Sequence, residues 1–231
     1  MALANESTVM RGRGAREPLL PGVQDALAEH IVPMPAWKRG IDLAGAAAGL
    51  LFLSPLLLLI AIAISLESRG GPLFRQLRVG RGGATFTCWK FRSMRRNAEL
   101  MLVDLQAQNE ATGHIFKMKD DPRRTRVGRF LRMTSLDELP QLVNVLRGHM
   151  SLVGPRPPTV AEVMRYDDSH LLRLSATPGI TGLWQVTLRG RHDFADMVAL
   201  DVEYARNLSF WLDARILLQT VPTVLLGSGS C

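Results

Sequence analysis

The stretch LLFLSPLLLLIAI, residues 50–62, sets the tightest limit on how this chain folds. It lies inside an uncharged run from Leu43 to Leu66, 24 residues long, with Ser54 and Pro55 at its middle. As one straight helix the run would extend about 36 Å, enough to cross a hydrocarbon core of about 30 Å. Pro55 supplies no backbone N–H and its ring crowds the preceding turn, so a kink is expected there. Two readings follow: a bent helix spans the bilayer, or helix, break and helix dip into one leaflet and return. In the second, each arm of about 12 residues reaches about 18 Å, roughly the bilayer midplane. The Ser54 hydroxyl can bond back to a carbonyl freed by the proline, which lowers the cost of unpaired backbone in lipid. Lys38 and Arg39 precede the run, and Arg69, Arg75, Arg78 and Arg81 follow it. Positive residues mark the cytoplasmic side, and their presence at both ends favours re-entry.

Lys and Arg number 28 against 21 Asp and Glu, a formal charge of +7. That surplus favours an anionic partner, such as lipid head groups, a phosphorylated substrate or nucleic acid. The two cysteines, Cys88 and Cys231, stand far apart and lack metal-ligand spacing, which argues against a disulfide framework or a zinc site. The apolar run begins too late and runs too long for a cleavable signal peptide. Residues 1–37, with Arg11, Arg13 and Arg16 among scattered Gly and Pro, read as a flexible basic tail.

Beyond Leu66 the polarity changes abruptly. Residues 71–94 alternate in short runs around two glycine-bearing turns and predict a small β-hairpin. Residues 95–111 predict a helix, as do Leu139, Leu142, Val143 and Leu146 on one face of a segment ended by Gly148. Residues 159–173 read as another helix, and 208–226 as an apolar segment suited to the membrane interface.

The chemistry concentrates at SLDE, Ser135–Glu138. One reading is a capping box, in which Ser135 and Glu138 satisfy each other's backbone. Pro140 would then fall inside the helix, so either the helix bends or it starts at Pro140 and leaves the acids on a turn. The other reading is functional. Asp137 and Glu138 lie among Arg129, Arg132, Arg147 and Arg156, with Lys90 and Arg92 available from an earlier segment. Adjacent carboxylates suit Mg²⁺, and guanidinium groups clamp phosphate oxygens. An Asp beside a helix N-terminus stays ionised, as a nucleophile must. These parts suit phosphoryl transfer through an aspartyl intermediate. The GRGG at 80–83 lacks a P-loop lysine and is a weak phosphate loop.

Read together, KRGIDL (38–43), Ser54-Pro55, FRQLRVGRGGATFTCWKFRSM (74–94), DPRRTRVGRFLRMTSLDELPQLVNVLRGHMSLVGPRP (121–157) and PGITGLWQV (178–186) resemble the bacterial monotopic phosphoglycosyl transferases. The resemblance implies a monotopic membrane protein, mainly α with a small β element. A re-entrant helix-break-helix over 38–68 would carry a cytoplasmic catalytic domain, 69–231, with interfacial amphipathic helices. It implies transfer of a sugar 1-phosphate from a UDP-sugar, glucose or galactose, to polyprenyl (undecaprenyl) phosphate at the inner membrane. UMP leaves, and the product starts a polysaccharide or glycoconjugate. Asp137 would be the nucleophile and Glu138 would serve Mg²⁺ with it. Arg132 and Arg156 would hold phosphates, and Lys90, Arg92 and Arg189 match further basic positions. Partners would be the UDP-sugar, the polyprenyl phosphate and membrane lipid, not nucleic acid, while self-association stays open. Leu188 departs from the family's glycine in the turn after Trp184-Gln185-Val186, which bears on loop geometry. The competing reading is a basic membrane-anchored anion-binding or adaptor protein without turnover. The acidic pair inside the basic cluster argues against it.

Overall fold

The computed structural model describes residues 21–105, 108, 118, 120–188 and 193–225. Its dominant element is α2 (Ala36–Glu67), preceded by a short α1 (Pro21–Leu27). Among the described residues, α2 is the one helix long and apolar enough to cross a membrane. Phe52 is 78% exposed and Leu66 82%, so most of its apolar surface finds no cover among the described residues.

Helical hydrogen bonding continues through the expected break: Ala36–Glu67 is one helix with Pro55 inside it. The physical reason is local. Pro55 leaves the Leu51 carbonyl without its N–H donor, and the Ser54 hydroxyl donates to that carbonyl at 2.8 Å. The two arms flanking the proline are thus parts of one helix, and both pack on the rest of the chain. In the first arm Ala46 and Leu50 join Phe86, Cys88, Leu142, Val145 and Met150. In the second, Ile60 and Ile64 meet Phe91 and Leu131.

Polar ties fasten both ends. Lys38 is buried, donating to the Val153 carbonyl at 2.9 Å and pairing with Asp213 at 2.5 Å. Asp42 accepts from the Ser151 hydroxyl and the Leu152 amide. At the other end the Glu67 carboxylate accepts from the amides of Arg126 (2.6 Å) and Val127 (3.1 and 3.2 Å). These are the first free N–H groups of α4 (Arg126–Met133), where a carboxylate also meets the positive end of the helix dipole.

The hairpin appears as read, with β1 (Leu73–Val79) antiparallel to β2 (Thr85–Phe91) and Leu73 opposite Phe91. Alternation sends Phe86 and Cys88 inward, and Lys90 continues that same face. α3 (Ala98–Leu105) follows, covering the described part of the helix expected over 95–111. After α4 come a 3₁₀ turn (Leu136–Gln141), α5 (Leu142–Leu146) and β3 (Ser151–Val153). The helix read over 159–173 is instead two, α6 (Val160–Val163) and α7 (Asp168–Leu171), because Asp167 caps a fresh start with its side chain on the His170 amide. β4 (Gly179–Thr181) runs parallel to β3, and α8 (Leu183–Thr187), α9 (Phe194–Arg206) and α10 (Phe210–Leu225) complete the described chain.

α10 has the two-sided character expected of an interfacial segment. Ile216 is fully buried beside Val153 and Tyr204, while Trp211 is 79% exposed. Phe210 meets Trp37 of α2 edge to face at 5.8 Å, which gathers aromatics where the apolar helix begins. The reading of residues 1–37 as a loose tail is corrected from Pro21 onward. Val23 and Leu27 of α1 are buried against Val79, Val163, Leu171 and Leu174, an anchorage between distant segments that local composition conceals. Residues 1–20 lie outside the described residues.

Candidate active site

Asp137 and Glu138 stand on the 3₁₀ turn, not in a capped α-helix. Ser135 takes a left-handed conformation, φ 55° and ψ 15°, and its side chain caps nothing, so the capping box is excluded. Pro140 lies within the turn, which ends at Gln141, and α5 starts at Leu142, so of the two alternatives the acids lie on a turn. That turn is held on β2 by Asn144 of α5. Its fully buried amide accepts from the Trp89 N–H at 3.0 Å and donates to the Thr87 carbonyl at 2.7 Å. Neighbouring Lys90 then reaches Glu138 at 2.5 Å.

Two further elements bring arginines. In α4, Gly128 lies so close to the chain leaving β2 that a Cβ there would sit 2.0 Å from the Ser93 carbonyl oxygen. This contact lets α4 approach β2 and carry Arg132 toward Asp137, whose charge Arg132 feels. In VGPRP, a Cβ on Gly154 would fall 2.3 Å from the Thr177 oxygen, so only glycine lets this loop lie on the chain before β4. Pro155 accepts from the Gly179 amide at 2.9 Å, and Pro157 accepts from Arg78 at 2.7 Å. The backbone on both sides of Arg156 is therefore fixed. The charge of Arg156 acts on Glu138.

The two carboxyls are driven apart. Burial, and then the neighbouring Glu138 charge, push Asp137 up to about 6 against the pull of Lys90 and Arg132. Asp137 is 7% exposed, and its desolvation outweighs the favourable dipoles, yet a carboxyl near 6 is still mostly ionised at neutral pH, as a nucleophile must be. Burial also opposes ionisation of Glu138, but Lys90, Arg156 and Arg78 outweigh it and hold that carboxyl below its ordinary value. One acid is fixed as an anion, and the other sits close to neutrality, where a carboxylate is both available and reactive.

Among the described residues, the side chains of Arg132 and Arg156 form no hydrogen bond or ion pair, so their forks remain open to phosphate oxygens. Arg92 is placed elsewhere: its guanidinium bonds the Ser68 carbonyl and hydroxyl (2.8 and 2.9 Å) and the Arg69 carbonyl (3.1 Å), closing the end of α2. Arg189 lies outside the described residues. Leu188 has φ −99°, which any residue adopts, so the departure from glycine strains nothing there. Burial pushes the Cys88 thiol up, which makes it a core residue and not a nucleophile.

Two residues escaped the sequence reading. Arg78 is buried, bonded to Gln76 and Pro157, and within the field of Glu138. Asn144 is the strut described above. A signal for Arg78 existed in strand alternation, which puts it on one face with Gln76; Asn144 had none, since its partners lie 55 and 57 residues away.

No group of three His, Cys, Asp or Glu able to hold a metal occurs among the described residues. Two adjacent carboxylates do suit Mg²⁺, which keeps waters and binds through one or two carboxylates together with substrate phosphates.

Residues 34–227 match the sequence model of the bacterial sugar transferase family. The galactosyl transferase CpsE of Streptococcus agalactiae is 49% identical over 195 residues, covering 84% of this chain and 43% of CpsE. The exopolysaccharide production protein ExoY of Sinorhizobium fredii is 41% identical over 197 residues, covering 84% of this chain and 87% of ExoY. A UDP-glucose:undecaprenyl-phosphate glucose-1-phosphate transferase of Caulobacter vibrioides is 45% identical over 196 residues, covering 81% and 69%. The chain thus spans less than half of the streptococcal relative and most of the rhizobial one.

Proposed function

The chain belongs to the bacterial sugar transferase family, and from that premise we propose that it transfers a hexose 1-phosphate from a UDP-sugar to polyprenyl phosphate. The observation that carries this reading is the division of labour between two adjacent acids. Asp137 is buried with its carboxyl near neutrality, while Glu138 is locked to Lys90 and two unpaired arginines face the pair.

In the first step a carboxylate oxygen of Asp137 attacks the sugar-linked phosphorus. The bond from that phosphorus to the bridging oxygen breaks, and UMP leaves with the electron pair. In the second step a phosphate oxygen of the lipid attacks the same phosphorus. The bond to Asp137 breaks, the carboxylate returns, and a polyprenyl diphosphate hexose forms. Arg132 and Arg156 neutralise the equatorial oxygens in both steps, which is the main contribution a protein makes to phosphoryl transfer. Mg²⁺ held by the free oxygens of Glu138 and Asp137 would supply further charge neutralisation on the diphosphate.

The proposed membrane placement follows from α2. Its two arms pack on one folded unit, through Lys38 and Asp42 at one end and Glu67 at the other. This supports re-entry into a single leaflet with the site on the cytoplasmic side, where nucleotide sugars occur. The reading is tested with detergent-purified protein, Mg²⁺, polyprenyl phosphate and a panel of UDP-sugars. UMP should be released with UDP-glucose or UDP-galactose and not by Asp137→Asn. Wild-type turnover by that variant overturns the assignment.

A further inference from the structure

A cavity of about 970 Å³ opens between the end of α2 and the start of α4, beside the acids and not upon them. Arg95, Arg124, Arg126 and Arg129 line it, together with Glu67 and Asp121. Both acids are already committed. Glu67 is spent on the first amides of α4, and Asp121 holds Arg123 through two bonds of 2.8 and 2.6 Å. Arg124 donates to the Met118 carbonyl. Arg95, Arg126 and Arg129 are exposed, and their side chains form no hydrogen bond or ion pair among the described residues. The lining is therefore positive with its negative charge used up, a composition that selects an anion.

The surroundings narrow the choice of anion. α4 buries Leu131 and packs Val127 against Ile60 and Ile64, so its other side carries Arg126 and Arg129 beside Phe130 and Met133. Phe130 is 54% exposed and Met133 50%, and Leu66 is exposed next to Glu67. Arginine and uncovered apolar side chains at the exit of a membrane-length helix suit a ligand with a phosphate head and a hydrocarbon tail. The cavity also adjoins the reacting centre: Arg132 follows Arg129 by one helical turn and feels the charges of Arg124 and Asp121. A nucleotide sugar arrives from water, whereas a lipid phosphate must arrive along α2.

We propose that this cavity receives the phosphate of the polyprenyl acceptor, with Arg95, Arg126 and Arg129 holding its oxygens and the adjacent apolar residues meeting the first isoprene units. The inference rests on the transfer reaction proposed above and adds where its second substrate docks.

The test separates the half-reactions. Arg126→Gln/Arg129→Gln, and independently Arg95→Gln on another element, are assayed for UMP release from UDP-sugar without acceptor, and for KM of polyprenyl phosphate in full turnover. Donor-only release should stay within about twofold, while KM for the acceptor rises about tenfold or more, as expected when charge-assisted bonds to phosphate are lost. An unchanged acceptor KM overturns the inference and leaves the reaction standing. Absence of UMP release by wild-type protein overturns the reaction, and the inference with it. Flotation on phosphatidylglycerol vesicles lacking polyprenyl phosphate separates the two lipid sources. Equal binding by wild type and variants supports acceptor docking. Loss of binding in proportion to the rise in KM overturns it in favour of a bulk head-group site.

Discussion

Asp137→Asn should make the protein inactive and more stable at once. The fold lifts this carboxyl from an ordinary 3.8 to about 6, chiefly by burial and by the adjacent Glu138 charge. At pH 8 the group is ionised in both folded and unfolded chains, and the shift makes the charged form about 3 kcal/mol less favourable in the fold. The raised value means the folded chain binds the proton more tightly. That stabilisation is complete below 3.8, fades as pH rises through about 6, and is gone at pH 8. The amide occupies the same space without charge, so the variant escapes the cost. For a chain of this size each kcal/mol moves the melting temperature by about 2–4 °C, which gives an upper bound of about 6–12 °C. Glu138 shares the repulsion, so the measured gain should lie toward the lower end. Thermal unfolding in micelles without Mg²⁺, followed by tryptophan fluorescence, measures wild type and variant at pH 8 and pH 4.5. The variant should melt higher at pH 8, and the gap should shrink at pH 4.5. Equal or lower stability at pH 8, or a gap independent of pH, would refute the claim of a costly buried charge.

Three further outcomes follow from the same contacts. The kcat/KM for the donor should rise about tenfold per pH unit below 6 and level off above 7, because Asp137 must ionise while Glu138 already has; a flat profile between pH 5 and 8 contradicts this. Asn144→Ala should cost about 1–3 kcal/mol in thermal unfolding, since it leaves the half-buried Trp89 amide and the Thr87 carbonyl without their partner; a loss under about 0.5 kcal/mol means the strut matters little. Pro55→Ala returns an N–H to the Leu51 carbonyl and removes a proline's tendency to bend a helix, so cysteine labelling in oriented vesicles should find some N-termini on the far face; unchanged topology would credit the end ties, such as Lys38–Asp213, with holding the helix.

What could be read in advance divides by distance along the chain. The hairpin was legible because alternation and its glycine turn are local, and Lys90 followed because it shares the inward face of Phe86 and Cys88. The acidic pair among arginines was legible as composition, and Arg132 and Arg156 do converge on it. The conformation of the pair was not. Ser135 is left-handed, and SLDE holds no glycine or asparagine to signal that conformation. Ser54 as the substitute donor was legible from the Ser54-Pro55 step itself, and the bond to the Leu51 carbonyl is present. Arg92 has the charge of a phosphate ligand, yet three carbonyl and hydroxyl acceptors at Ser68 and Arg69 claim it. Asn144 acts through partners 55 and 57 residues away, which no short window contains, whereas Arg78 shares a strand face with its partner Gln76.

The central claim is that Asp137 becomes bonded to phosphorus during turnover. Protein incubated with Mg²⁺ and isotope-labelled UDP-sugar but no acceptor, quenched in acid and digested, should yield the peptide containing Asp137 with the added mass of a hexose phosphate. Fragmentation should place that mass on Asp137, and adding polyprenyl phosphate before the quench should remove it. Label on Glu138 instead, or UMP release with no label on either acid, would contradict the account.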